Sequence, residues 1–354
     1  MVINDTYEKN EIVFSRSAKD LLVSEAEDSL VNITVSVDSE VVASFAMAPL
    51  DNRIVLNLSG ILESCSVGQT PSAPSRSSSS YVIRRVKITA GNQSWTHPVL
   101  FGIKPTRKNI DKYDFLTRRQ EMVYTYRDSI EPMASRWLPA GVGSGVTLMA
   151  EVSFMTHLPV RVVLSGPMVL PSSSDMYMGQ LDCSYSTILA ATNAAGYSDE
   201  VITGWKVWLK CVTTSLDGSQ VVTEGSAQKF ELRTGFHKTY VFRNIYGFFD
   251  IIHATGAMVI LSESEVATFI NNNLECELSN DTDLYFEQST GYISSASQAS
   301  LWLEFLSSSE RYVLEDSIVN KIIVDESDAK ITKGELSSLK FKWHYADRNN
   351  NYKI

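Results

Sequence analysis

YVFRNIYGFFDIIHATG, residues 240–256, sets Arg243, Asn244, Asp250 and His253 inside an otherwise apolar run. Such polar groups are either a reaction site or the chemistry of a turn. Asn244 and Gly247 both tolerate positive φ, which places a turn between two strand-like runs. Arg243 and Asp250 then fall at matched places on either side, where a cross-strand ion pair explains them without catalysis. Arg243, Asn244, Gly247 and Asp250 are therefore expected to be structural turn residues, and the stretch a hairpin.

Downstream, TGYISSASQASLWLEFLSSSERYVL contains the clearest helix signal in the chain. Ser294 or Ser295 can cap it, Ala299, Trp302, Leu303 and Leu306 recur at three- and four-residue spacing, and Ser307–Ser309 end it. The helix should pack on a sheet that includes NKIIVD and the final LKFKWHY. In the latter, Leu339, Phe341, Trp343 and Tyr345 share a face.

Upstream, apolar residues alternate with period two. In VNITVSV, Val31, Ile33, Val35 and Val37 share a face, and RIVLNL repeats this with Ile54, Leu56 and Leu58. The serine- and proline-rich stretch 66–80 has too few apolar groups to pack and reads as a surface loop. YVIRRVKITA then resumes as a strand, and a turn at Gly91-Asn92 leads into SWTHPVLFGI. Past the polar passage KPTRKNIDKYD, further strands follow in EMVYTYRD, GVTLMAEVSF, PVRVVLSGPMVL, EVITGWKVWLKCVTT and SQVVTEGSAQKFELR, with a turn at LDG, residues 216–218. The expected fold is mainly β. Tandem β-sandwich-like domains occupy 1–105 and 106–235, and a C-terminal α+β unit, 236–354, carries one helix on a sheet.

In GWKVWLK, Trp205, Val207 and Leu209 share a face, which puts Trp208 on the other face between Lys206 and Lys210. An indole flanked by lysines is either covered by their stems or kept available for a partner. Trp208, Lys206 and Lys210 are the interface candidates, because Trp208 points away from the core that Trp205 fills.

Composition narrows the function classes. The chain has 354 residues, 44% of them hydrophobic and 10% aromatic, as folded protein requires. A formal net charge of −10 argues against direct contact with nucleic acid. No apolar run is long enough for a membrane helix. The start, MVINDTYEKNEIVF, shows no secretion signal. Cys65, Cys183, Cys211 and Cys276 form no C-x-x-C pair, so reduced, mostly buried thiols are expected.

Enzyme signatures are weak. The five histidines include no pair at metal-ligand spacing. GVGSG, residues 141–145, lacks the Lys-Ser/Thr of a phosphate loop and the letter pattern of a nucleophile elbow. Asp281 and Asp283 could flank a glycosidic bond, but SNDTD reads more simply as a polar turn. No catalytic residue, metal or cofactor is expected.

The order of features in the last third is more specific. A strand enters RN-x-x-G-x-x-[DE], a following strand ends in TG, and a TGYI turn leads to a helix closing in LEFLSSS. A last strand ends in YADRN-N-Y. Over about 236–354 this series resembles structural proteins, tail-associated or other virion components, of phages and prophages of Bacteroidetes. In the front of the chain, FLTRR at 115–119 fits more loosely. The resemblance implies a non-enzymatic virion subunit, of tail-tip, baseplate or adaptor type, assembled in the bacterial host cytoplasm. Its partners would be other virion proteins and further copies of itself. The alternatives are a carbohydrate- or receptor-binding β-sandwich module using exposed aromatics such as Trp208 or Tyr177, with a glycan or host receptor as partner, and, less favoured, a glycan-degrading enzyme.

Overall fold

The computed structural model describes residues 1–8, 11–24, 30–65, 79–102, 115, 122–137, 145–169, 177–198, 200–214, 217–271, 274–293, 295–316, 318–328 and 337–347. Residues 66–78 of the serine-rich loop, the passage 104–114, 116–119 of FLTRR, 141–144 of GVGSG, Leu216, Ser294 and the end of the C-terminal motif from 348 lie outside them. So do the side chains of Tyr177 and Cys276.

The chain is mainly β, and its described residues form five sheets. In the N-terminal region, the strands Val13–Phe14, Gln93–Leu100, Arg85–Ala90, Val31–Val37 and Glu40–Met47 form a five-stranded sheet. Asp38 and Ser39, both at positive φ, make the two-residue turn between Val31–Val37 and Glu40–Met47, as tight hairpins demand. Val31, Ile33, Val35 and Val37 share one core with Leu21, Val23 and Ile54 of a second, three-stranded sheet. Leu58 departs from the expected alternation: the strand Arg53–Leu56 ends before it, and Leu58 opens a helix, α1 (Leu58–Cys65). That helix buries Leu58, Leu62 and Cys65, which lie on one helical face.

YVIRRVKITA proves to be two strands. Ser79–Val82 leaves the N-terminal sheet and pairs with Tyr177–Asp182, which in turn pairs with Pro132–Trp137. Arg85–Ala90 returns to the N-terminal sheet. The front and middle of the chain thus share a sheet. Its Met133 and Leu181 pack into one core with the six-stranded sheet built around Gly145–Phe154 and Ile202–Thr214. A second helix, α2 (Tyr185–Ala194), which the period-two reading does not anticipate, adds Ile188 to this core.

The C-terminal sheet has seven strands, in the order Phe249–Ala254, Lys238–Arg243, Arg311–Glu315, Ile318–Asp328, Lys340–Tyr345, Leu274–Ser289 and Met258–Asn271. One helix, α3 (Ala296–Ser307), lies on it, and Ser295 caps its start by accepting from the Gln298 amide at 3.1 Å. Its buried face is Ala299, Leu301, Trp302 and Phe305. Leu303, expected on that face, is exposed, and Leu306 is only partly buried. Trp302 and Phe305 pack on Phe341, which the last strand delivers to the middle of the sheet.

Candidate functional site

The hairpin of residues 240–256 joins Lys238–Arg243 to Phe249–Ala254, with Phe242 opposite Asp250 and Arg243 opposite Phe249. Gly247 takes φ of +79°, whereas Asn244 works through its side chain and not through a positive φ. Its Oδ1 accepts from the backbone amides of Tyr246 at 2.9 Å and Phe248 at 3.1 Å. Asn244 also donates through Nδ2 to the Asp250 carboxylate at 3.3 Å. The expected Arg243–Asp250 pair is replaced by another. Arg243 engages Glu310, with Nε 3.0 Å from Oε1 and Nη2 3.0 Å from Oε2. It also donates to the Gly247 carbonyl at 2.6 Å and lies over the Phe249 ring. The reason is register: Arg243 and Asp250 are one position out of step, so their side chains leave opposite faces of the sheet.

The side chain of His253, behind the hairpin, meets groups from the middle of the chain. Its Nε2 is 3.3 Å from Oε1 of Glu131 and 3.4 Å from Oγ of Ser129, and its Nδ1 is 3.1 Å from Oγ1 of Thr239. Glu131, fully buried, also accepts from Thr125 at 2.6 Å and from Ser129 at 3.0 Å. The residue types are those of a Ser-His-acid triad, but the wiring differs. A triad needs serine and carboxylate on opposite ring nitrogens, and here both approach Nε2. Chemically the cluster is a hydrogen-bonded clamp between the middle and C-terminal regions. Separations of 122 and 124 residues put these partners beyond any spacing rule. Among the described residues no group of three or more His, Cys, Asp or Glu could hold a metal ion.

Beside the clamp, a cleft of about 380 Å³ is lined by Tyr124, Tyr126, Arg233, His253, Tyr292 and Gln298. The Tyr126 ring stacks on His237 at 3.5 Å. Burial pushes the Tyr126 hydroxyl up and the His237 imidazole down from their ordinary ranges. Arg233 sits 4.4 Å over the Tyr124 ring, and Tyr124 and Tyr292 are both exposed.

Trp208 is not the exposed interface residue that alternation suggested. It does stand outside the core cluster that Trp205, Val207 and Leu209 join, but only 4% of it is accessible. Arg161 covers it, its guanidinium 5.5 Å from the ring centroid, and Met149 lies opposite it on the neighbouring strand. Lys206 and Arg161 meet on Glu151, at 2.7 Å and 3.2 Å. The Lys206 hydrogen bond leads in holding the Glu151 carboxyl below its ordinary range. Long side chains laid along an aromatic ring bury it as effectively as a second layer of structure would. Lys210, opposite Glu224 on the neighbouring strand, is partly exposed and Lys229 is exposed, and no acid bonds either of them among the described residues.

The feature that sequence reading missed is the Met258–Asn271 and Leu274–Ser289 pair. The two strands run antiparallel from Met258↔Gln288 to Asn271↔Leu274, but Lys340–Tyr345 supports only Phe286–Ser289. Beyond Phe286 the pair continues as a two-stranded ribbon for about 35 Å, at about 3.3 Å per residue. SNDTD, expected to be a polar turn, lies inside the second strand, and Asp283 sits opposite Glu263. Val259, Ile260, Val266 and Phe269 are exposed along the ribbon, and Ile270 near its tip is 77% exposed. Residues 258–289 carry Glu263, Glu265, Glu275, Glu277, Asp281, Asp283 and Glu287, and no lysine or arginine. Near the base this charge is met from the sheet, where Lys342 lies 2.7 Å from Glu263 and Lys340 lies 3.2 Å from Glu287.

No family model matches the chain, and no curated protein matches it. Among solved structures it is similar to a chimeric titin Z1Z2-Z1Z2 tandem functionalized with a GRGDS exogenous peptide from fibronectin. The identity is 11%, over 66% of this chain and 100% of that chain, with a TM-score of 0.16. A likeness at that score carries no argument about what the chain does. No described helix is long and apolar enough to cross a membrane.

Proposed function

We propose that this chain is a non-enzymatic structural subunit of a phage or prophage virion, a tail-tip, baseplate or adaptor component assembled in the host cytoplasm. It acts by protein–protein association, with other virion proteins and with copies of itself. The Met258–Ser289 ribbon carries this reading. A two-stranded ribbon with water on both faces is marginal by itself, and exposed apolar groups at its end add a cost that a partner removes. The ordered RN-x-x-G, TG, TGYI and LEFLSSS series, similar to virion proteins, supports the setting. Mass spectrometry and immunogold labelling of purified particles test it. The chain should be found at a stoichiometric copy number, and a chain shortened to a tight turn after Leu261 should be lost from particles while remaining folded. Particles that lack the wild-type chain would end this reading.

A second reading draws on the cleft. Exposed Tyr124 and Tyr292, with Arg233 and Gln298, offer stacking faces and hydrogen-bond donors of the kind that hold a sugar ring. Retention on glycan arrays that Tyr292→Ala abolishes would favour a carbohydrate- or receptor-binding role.

A further inference from the structure

The ribbon's charge restricts what can cover it. Two ribbons laid side by side would bring two sets of seven carboxylates together, so pairing by a twofold axis is opposed by repulsion. A complementary surface has to be cationic, open and broad enough for roughly twenty residues, the number that a stable contact engages on each side.

The outer face of the six-stranded central sheet has these properties. It presents Lys206, Lys210, Lys229 and Arg161, with Glu151 held between Lys206 and Arg161, Glu224 opposite Lys210 and Glu231 paired to Arg233. Its unbonded charges are thus Lys210 and Lys229 against Glu224, and no helix or second sheet lies over it among the described residues. Lys206 lies directly opposite Lys229 on neighbouring strands; Glu151 already meets Lys206 at 2.7 Å, whereas no acid bonds Lys229 among the described residues. A groove of about 480 Å³ runs past Gly204, where a side chain is missing from the face, and is lined by Met122, Glu151, Ser153, Lys206, Lys229 and Glu231. Exposed Met122 and Val163 stand on the two edge strands of the sheet, Met122–Thr125 and Val160–Val169, and offer apolar surface to a ribbon that carries its own.

We infer that the acidic ribbon of one copy docks across the lysine-bearing face of the central sheet of a second copy, around Lys206, Lys210 and Lys229. This rests on the assembly reading above and names its partner surface. The two patches differ, so each copy keeps one of each unsatisfied. Such a head-to-tail contact closes into a ring or continues as a filament, depending on the rotation between copies. Because opposite charges carry it, the contact weakens as salt rises.

Sedimentation velocity of the full chain at low and high salt, with matched variants, tests this. Self-association should fall with salt, and Lys210→Glu with Lys229→Glu should weaken it about thirtyfold or more, at an unchanged melting temperature. Adding Glu275→Lys and Glu277→Lys to that variant should restore most of the association. A wild-type constant unmoved by Lys210→Glu with Lys229→Glu, or reversal without restoration, overturns the inference. If Phe269→Ser with Ile270→Ser abolishes association while the lysine variant associates normally, the ribbon docks elsewhere. The partner surface is then wrong and the assembly reading stands. A wild-type chain that is monomeric at every concentration also overturns the inference, and its presence or loss in purified particles decides the assembly reading separately.

Discussion

Gly102 and Ile245 meet so closely that a Cβ on Gly102 would lie 1.8 Å from the Ile245 carbonyl oxygen. Gly102, at φ +109°, accepts from the Arg16 amide at 2.8 Å and donates to Ser15 Oγ at 3.1 Å. The C-terminal hairpin turn is therefore seated on the N-terminal region. Around it, Phe14, Ile83, Leu100, Ala134, Tyr246 and Phe248 form one small core drawn from the front, middle and end of the chain.

Gly102→Ala should accordingly cost about 3 kcal/mol, from a backbone clash and a disfavoured φ together. Urea unfolding followed by tryptophan fluorescence measures this. A loss below about 1 kcal/mol would mean that the hairpin turn can lift off without consequence.

Trp208→Ser should destabilise the chain by about 3 kcal/mol or more, since a buried indole is replaced by a cavity. Trp208→Phe should cost far less, because the Trp208 Nε1 has no hydrogen-bond partner to lose. Equal losses in the two variants would show that the indole nitrogen contributes.

Asn244→Ala removes the acceptor for two backbone amides and the donor to Asp250, and should cost about 2 kcal/mol. In double-mutant cycles, Arg243 should couple more strongly to Glu310 than to Asp250. The reverse order would restore the cross-strand pair suggested by sequence.

His237 sets a pH dependence. Burial lowers its folded-state pKa below the ordinary 6.5, so the unfolded chain binds the proton more readily. Its contribution to stability is fully present above 6.5 and is lost as pH falls toward the depressed value. His237→Phe, which keeps a ring on Tyr126 but cannot titrate, should flatten the loss in thermal stability between neutral and mildly acidic pH. An unchanged slope would place the effect on another group.

Much of the strand pattern was legible because alternation is a local property. Val31 to Val37, Phe341 to Tyr345 and the Gly145–Phe154 strand each display the face they bury in a few letters. Turn chemistry was equally local at Gly247. Periodicity gives a side, however, and not the depth of cover on it. Trp208 sits on the side that alternation assigned and is buried all the same, because Arg161 from another strand lies over it.

By itself, the sequence determined that alternating stretches such as Val31–Val37, Gly145–Phe154 and Lys340–Tyr345 are strands and that an Asn-x-x-Gly turn follows Arg243, since these depend on neighbours within a few residues. Only the tertiary structure decided that Arg243 meets Glu310, that Ser79–Val82 pairs with the middle of the chain, that His253 reaches Glu131, and that Met258–Ser289 outruns its supporting strand. Each of these depends on register or on chain separated by tens of residues or more. Side-chain period does not encode which strand becomes whose neighbour.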